Sequence, residues 1–370
     1  MVKNNRVVVG MSGGVDSTVA AFRLKEMGYD VIGVNMRLWQ DDALEEAHYE
    51  KDGGCCSLSS AEDARRVCAQ IGIPFYALDF KAIFKTTVVD YFIDSYQKGE
   101  TPNPCIACNK YVKFEALLEK AHQLGAYYVA TGHYAKIKYD DGFDRYTIEK
   151  SNAVEKDQTY ALYNLTQDQL KHILMPLGDF ESKDDVREVA AQFDVQMSQK
   201  SDSQEICFVP DQDYVGFLKR NSDMAIEEGV FVGTDGEVLG KHQGIVNYTI
   251  GQRKGLGVTF GKPMYVIDID TTKNVVTLGD NSDVFKKELI ADQNNFILFD
   301  RLEEEYRCTA KVRYSAKEAP CTLYPEGDEV KVVFDEPQRA ITPGQAVVFY
   351  KDQWLVGGGT IIKGKGKGNG

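Results

Sequence analysis

No run of 18 or more apolar residues occurs in this chain, which excludes an ordinary membrane-spanning helix. A leader of secretory type is not expected either, because Met1-Val2-Lys3-Asn4-Asn5-Arg6 runs directly into a strand-like segment. Positive charge is in deficit: 43 Lys and Arg against 56 Asp and Glu leave a formal net charge of −13. That balance argues against a generally sticky nucleic-acid binder, although a local basic face remains compatible with it. Eight cysteines among 370 residues are too few for a disulfide scaffold, and in a cytosolic protein they are buried, metal-bound or reactive. No internal repeat is present. What remains is a chain with room for two or three domains and an ample core.

The most informative stretch is Val7-Val8-Val9-Gly10-Met11-Ser12-Gly13-Gly14-Val15-Asp16-Ser17, a buried-strand run that breaks into a Ser/Gly-rich turn. Thr18 to Met27 follows with helical apolar spacing (Val19, Ala20, Phe22, Leu24, Met27), and Gly28 stops it. A strand–turn–helix junction with outward-pointing backbone N–H groups is a phosphate pocket. The Gly-Lys-Ser/Thr of a kinase-type phosphate loop is missing, so no γ-phosphate site is implied. Ser-Gly-Gly-Val-Asp-Ser instead resembles the pyrophosphate loop of ATP α-hydrolases, which adenylate a carbonyl oxygen and release pyrophosphate.

Strand-like runs at Arg6–Gly10, Asp30–Leu38, Pro74–Phe80 and Tyr127–Thr131 alternate with helical stretches at 18–27, 60–71, 81–97 and 110–124. This alternation predicts a doubly wound parallel sheet of α/β class, with ligands beyond the carboxyl ends of its strands. The polar, acidic stretch from Gln40 to Gly54 reads as a mobile loop. After about residue 210 short alternating runs take over, at Gly229–Val232, Met264–Asp270, Val275–Gly279, Cys308–Tyr314, Glu329–Phe334 and Ala346–Tyr350. They predict small all-β modules with a weak boundary near 281–290. The expected organisation is a catalytic domain over 1–210, a small central module over 211–282, a C-terminal β-barrel over 283–362 and a disordered tail over 363–370.

Thr101-Pro102-Asn103-Pro104-Cys105-Ile106-Ala107-Cys108-Asn109 is the second informative stretch. Its prolines force an extended entry and leave the cysteines near the start of the Lys110–Leu124 helix, whose positive end favours a thiolate. A Cys-x-x-Cys pair serves thiol–disulfide exchange or half of a metal site. Zinc needs two further ligands. Cys55, Cys56, Cys68 and His133 suffice by count but form no second closely spaced pair, so structural zinc is the lesser reading. An iron–sulfur cluster on Cys105, Cys108 and one distant cysteine is permitted by the spacing. Cys68 reads as core, and Cys308 and Cys321 as structural. Composition alone reads Cys207 as a buried strand cysteine.

These blocks stand in one order with Gly132-His133-Tyr134-Ala135, Lys156-Asp157-Gln158-Thr159-Tyr160 and Asn247-Tyr248-Thr249-Ile250-Gly251-Gln252-Arg253-Lys254-Gly255-Leu256-Gly257. Together they resemble the tRNA-specific 2-thiouridylase family, from the first strand to Thr342-Pro343-Gly344-Gln345-Ala346. The resemblance implies an ATP-dependent tRNA sulfurtransferase that replaces the 2-oxygen of the wobble uridine with sulfur. It implies ATP contacts at Gly10, Met11, Ser12, Gly13, Gly14, Val15, Asp16, Ser17, Met36 and Gly132, with Mg2+ on the phosphates and Asp16 as its partner. Cys207 matches the cysteine that carries sulfur as a persulfide, and Cys108 the one that releases it and ends in a disulfide with Cys207. Asn103, Pro104 and Cys105 match the segment beside the target base. Many family members carry Asp where this chain has Cys105; here a thiolate would act as the base, or the residue would join Cys108 and Cys207 as a redox or cluster ligand. Expected partners are tRNA (those for Lys, Glu and Gln) and a cysteine desulfurase or persulfide carrier, in the cytoplasm and off the membrane.

For RNA contact the resemblance implies His133, Lys156, Asp157, Gln158, Arg313, Tyr314 and Gln345. The target base must also be turned out of its stack to be reached. Independently, bases at 307, 311, 313 and 317 are all odd-numbered, so on a strand they would share one acid-free face suited to a phosphate backbone. Two rival readings differ in class. A pyrophosphate-loop ligase for a small molecule would leave Cys108, Cys207 and the basic stripe idle. A non-catalytic RNA- or metal-binding protein would leave Ser12–Ser17 idle.

Overall fold

The computed structural model describes residues 3–39, 58–193, 206–257 and 261–364. Two compact units are made from interleaved parts of the chain: 1–89 with 104–214 and 352–355, and 90–103 with 215–351 and 356–370.

The first unit is built on a parallel sheet. β1 (Arg6–Gly10), β2 (Asp30–Arg37), β3 (Phe75–Asp79), β4 (Tyr128–Ala130) and β7 (Ile173–Leu174) lie in the order β3-β2-β1-β4-β7. Val7, Val8 and Val9 are fully buried, as the uninterrupted apolar run of a two-sided strand requires. α1 (Val15–Glu26) returns the chain from β1 to β2, and the Leu58–Ile71 helix does the same from β2 to β3. α1 packs against that helix and against Lys183–Ala191. Cys68 is core as expected: its Sγ occupies the place a Cβ on Gly33 would take, and burial pushes its thiol up to about 12. A hairpin of β5 (Lys136–Asp140) and β6 (Arg145–Glu149), which the sequence reading passed over, belongs to the same unit. The expected loop at Gln40–Gly54 and the pair Cys55-Cys56 lie outside the described residues.

Two expected helices are not continuous α-helix. The stretch 81–97 divides into Lys81–Phe84, a π-helical Lys85–Val89 and Asp90–Gln97. Thr86 and Thr87 sit where the ladder widens, and the Thr87 hydroxyl donates to the Ile83 carbonyl at 2.7 Å, competing with the α pattern. The helix expected from Lys110 already begins at Pro104, whose fixed φ and missing N–H suit a first helical position. It continues as a π-helix over Cys108–Ala116 and as α-helix over Leu117–Gln123.

The second unit holds two β structures. β8 (Gly229–Val232), β9 (Val238–His242), β10 (Tyr265–Asp270) and β11 (Val275–Gly279) form a sheet in the order β10-β11-β8-β9 around Phe231, Tyr248, Val266, Val276 and Leu278. β12 (Phe285–Phe296), β13 (Tyr306–Lys311), β14 (Ala319–Glu326), β15 (Glu329–Arg339), β16 (Ala346–Lys351) and β17 (Trp354–Ile362) follow the order β12-β15-β14-β13-β16-β17. The pairing of β12 with β17 closes them into a six-stranded barrel, which removes the sheet edges.

Three sequence expectations need correction here. The strand expected at Cys308–Tyr314 stops at Lys311, and Ala316 N–H closes a turn onto Arg313, so bases 307, 311, 313 and 317 do not share a strand face. The tail expected to be disordered from 363 is anchored at its first residue. Lys363 Nζ donates to the Ile269 carbonyl at 2.9 Å and pairs with Asp268 at 2.7 Å, while 365–370 lie outside the described residues. Cys207 is in a turn rather than a strand. Among the described residues no helix is long and apolar enough to cross a membrane.

Candidate active site

The strand order reverses between β1 and β4, the switch point where α/β sheets leave a crevice for ligands. Val9 and Ala130 are register partners there, so the loop after β1 and the segment from Thr131 to Tyr134 lie side by side. The loop holds itself in shape. Ser17 Oγ accepts from the Ser12 N–H at 3.2 Å and donates to the Gly14 carbonyl at 3.1 Å, while Thr18 Oγ1 donates to that carbonyl at 2.9 Å. Gly14 caps α1 without a side-chain bond, so the first-turn amides face outward as an anion site.

Glycines set the remaining walls. Gly13 adopts φ +73°, and a Cβ there would lie 2.3 Å from the Ser60 carbonyl oxygen. A Cβ on Gly132 would lie 2.7 Å from Asp16, so the strand-β4 side backs directly onto the first turn of α1. Met36 Cε approaches Gly10 from β2. The structure therefore brings Gly10–Ser17, Met36 and Gly132 together.

Asp16 is the charged member of the loop. Its Oδ1 accepts from Tyr134 Oη at 2.7 Å and from Lys183 Nζ at 2.7 Å. Both bonds fall on one oxygen of the carboxylate, a donor type that could hold a hard cation such as Mg2+. Lys183, only 9% exposed, opens a helix capped by Ser182, whose hydroxyl accepts from the Asp185 N–H while Asp185 returns the bond to the Ser182 N–H. Sequence reasoning missed Lys183; the only local signal was the Ser182-Lys183-Asp184-Asp185 capping box.

Cys105, Cys108 and Cys207 belong to the first unit. Cys105 is exposed on the first helical turn after Pro104, and Cys108 is buried one turn later. Cys207 is half-buried in a turn closed by the Val209 N–H to the Ile206 carbonyl at 2.9 Å. Its neighbour Phe208 packs edge-on to Phe84 with ring centres 5.7 Å apart, and the Lys81–Phe84 helix packs in turn on the helix that carries Cys108. Asn109 Nδ2 ties that helix to the Ala161 carbonyl at 3.1 Å. Among the described residues no cysteine is in a disulfide, and no three His, Cys, Asp or Glu side chains gather as a metal site. The donor set expected for an iron–sulfur cluster on Cys105, Cys108 and Cys207 is therefore not assembled.

Several residues expected at RNA carry internal bonds. His133 is buried, with Nδ1 2.6 Å from Thr131 Oγ1 and its ring near Phe114, and desolvation pulls its pKa well below the ordinary value. Asp157 accepts from the Ser151 N–H and the Thr159 hydroxyl, and Gln158 exchanges bonds with the backbone of Tyr134. Lys156 ends a short 3-10 turn. In the second unit Gln345 Nε2 donates to the carbonyls of Thr101 and Pro102 at 3.0 and 3.1 Å, and the Thr101 N–H donates to Pro343 at 2.9 Å. Gln345 thus fixes the extended segment that ends in Asn103. Arg313 and Tyr314 are exposed in the turn after β13.

Comparison with known proteins agrees with these features. Residues 5–211 match the family described as tRNA methyl transferase HUP domain, 216–280 the tRNA methyl transferase PRC-barrel domain, and 286–361 the aminomethyltransferase beta-barrel domain. The tRNA-specific 2-thiouridylase MnmA of Clostridioides difficile is 60% identical over 364 residues, covering 98% of this chain and 99% of the relative. The proteins of that name from Clostridium acetobutylicum and Thermoanaerobacter pseudethanolicus are 58% and 59% identical, covering 97% and 98% of this chain and 99% of each relative. With identity of this order along nearly its whole length, and with the pyrophosphate loop seated at the sheet's switch point, the chain belongs to the tRNA-specific 2-thiouridylase family.

Proposed function

We infer that the chain catalyses ATP-dependent 2-thiolation of the wobble uridine of tRNA. The observation that carries this reading is one unit holding both an ATP-type loop at Gly10–Ser17 and two cysteine-bearing segments joined through Phe208, Phe84 and the Cys108 helix. Uridine C2 is a urea-like carbon with a poor leaving group. Attack of its O2 on the α-phosphorus of ATP expels pyrophosphate and leaves AMP as a good leaving group. The outward amides of α1, Met36 and Gly132 support the nucleotide, and the Asp16 carboxylate fits Mg2+, which supplies charge neutralisation on the phosphates when bound.

In the second step the terminal sulfur of a Cys207 persulfide attacks C2 and AMP departs. The Cys108 thiolate then attacks Cys207 Sγ, which frees the thiolated base and leaves a Cys108–Cys207 disulfide for a thiol reductant. Cys105, exposed at the position where many relatives carry Asp, acts beside the base as a thiolate, with Asn103 and Pro104 framing it. His133, Lys156, Asp157, Gln158, Arg313, Tyr314 and Gln345 serve tRNA binding. For Gln345 and Gln158 the bonds to Thr101, Pro102 and Tyr134 support an indirect role, holding the surfaces that RNA meets. Partners of this reaction are tRNA and a cysteine desulfurase or persulfide carrier, in the cytoplasm. The matched segments at 5–211, 216–280 and 286–361 support domains over 1–210, 211–282 and 283–362. Methyl transfer, named in two family descriptions, would leave both cysteines and the pyrophosphate loop without work. Release of pyrophosphate from ATP tests the reading: it should require unmodified tRNA and persist in Cys207→Ser, whereas release indifferent to tRNA would favour a small-molecule ligase.

A further inference from the structure

The loop that receives ATP carries an acid, Asp16, and no base between Gly10 and Ser17. A polyphosphate entering it would meet a carboxylate at the first turn of α1, and the kinase-type loop lysine that offsets such charge is not in the motif. The fold delivers a cation from elsewhere. Lys183 is almost entirely buried, 167 positions along the chain from Asp16, and its Nζ stands 2.7 Å from Asp16 Oδ1 at the mouth of the loop. Burial of a lysine costs free energy unless an anion lies against it. A clamp between α1 and Lys183–Ala191 could have used apolar side chains at lower cost, as Val186 and Ala190 on the same helix already do.

We propose that Lys183 is the pyrophosphate-binding cation of this enzyme, contributed to the loop by a distant helix of the same chain, and that Asp16 holds its ammonium in place until ATP arrives. This rests on the ATP reading above. As uridine O2 bonds to the α-phosphorus, the bond from that phosphorus to the bridging oxygen breaks and pyrophosphate takes the electron pair. Lys183 donates hydrogen bonds to the departing oxygens. An ammonium carries three N–H donors, so service to Asp16 and to a phosphate oxygen is compatible in one site. Tyr134, bonded to the same Oδ1 and lying with its ring 5.8 Å from Nζ, fixes the approach of both charged groups.

The test separates a phosphate reader from a structural clamp. Calorimetric binding of ATP, inorganic pyrophosphate and AMP to the full chain in Mg2+ would be compared for wild type, Lys183→Met and Lys183→Arg, with thermal melts to establish folding. Loss of a charge-assisted bond predicts that Lys183→Met weakens ATP and pyrophosphate by about 10- to 100-fold and leaves AMP nearly unchanged. Lys183→Arg should restore most of the ATP-to-AMP ratio, and it carries the test if the Met variant does not fold. Equal weakening of all three ligands, or of none, would overturn the proposal and make the pair a clamp. Wild-type protein that binds neither ATP nor pyrophosphate would sink it together with the ATP site, an outcome distinguishable before any variant is made.

Discussion

A methyl group on Gly132 would lie 2.7 Å from Asp16 and 2.8 Å from the Ser17 nitrogen, inside any tolerable contact. The atoms it meets are backbone and Cβ of α1's first turn, so the loop itself must move. Gly132→Ala should therefore cost about 1–3 kcal/mol of stability and abolish most ATP affinity, read by thermal melts and calorimetry. Unchanged ATP binding in that variant would contradict the packing of β4 against the loop. At this scale legibility depended on sequence distance. Ser12 to Ser17 could be read because six consecutive residues build their own turn. Lys183 could not, since its role arises only where the sheet brings a capped helix back to Asp16. Gln345 was singled out by resemblance, yet its bonds to Thr101 and Pro102 were beyond any local pattern.

Among elements, the β13 hairpin shows how a correct residue choice can rest on a wrong local geometry. Arg307 faces Asp335 on β15 in a two-pronged ion pair, whose guanidinium holds the Asp335 carboxyl below its usual range. The acid came from another strand, so a stripe that was acid-free in sequence is paired in the fold. Arg313 sits exposed in the turn after β13, and Lys317 is exposed just beyond it. Arg313→Ala and Lys317→Ala should each weaken tRNA binding and reduce the salt slope by about one, while Arg307→Ala changes the slope little. Fluorescence titration of tRNA across salt concentrations decides between them. An equal slope loss in Arg307→Ala would show that Arg307 meets phosphate despite its ion pair with Asp335.

The β8–β11 sheet carries its own pH dependence. Buried His242 accepts from the Gly244 N–H at Nδ1 and has Nε2 3.2 Å from the Asn274 carbonyl, an arrangement that suits the neutral ring. Burial lowers its pKa from the ordinary 6.5, so below that pH the unfolded chain binds more protons than the folded one. The contribution is complete above about pH 6.5 and is lost as pH falls toward the folded value. Melts between pH 7.5 and 5 should steepen less in His242→Gln than in wild type, with His133 and His122, whose pKa values burial also lowers, contributing to what remains. Identical profiles would show that His242 is not a proton-linked site. The strand positions here were readable from alternation, whereas the π-helical turns at Lys85–Val89 and Cys108–Ala116 were not, because helical periodicity hardly distinguishes the two ladders.

For the molecule as a whole, the order of domains along the chain was visible in the switch from alternating strands and helices to short strands and turns. The interleaving was not: residues 90–103 fall with 215–351, although they precede the Cys105–Cys108 segment directly. The same holds for chemistry. Cys108 and Cys207 are widely separated in sequence, and the aromatic contact of Phe208 with Phe84 links their segments through the helix between. In the proposed chemistry this one unit activates a uridine with ATP and then delivers sulfur through those two thiols. Its most direct measurement is 2-thiouridine in digested tRNA, quantified by mass spectrometry after incubation with ATP, cysteine, a desulfurase and reductant. Product is expected with wild type and none with Cys207→Ser or Cys108→Ser, while tRNA-dependent pyrophosphate release continues in both. Product that survives either substitution, or its failure to form with wild type while ATP is still cleaved to AMP, would contradict that chemistry.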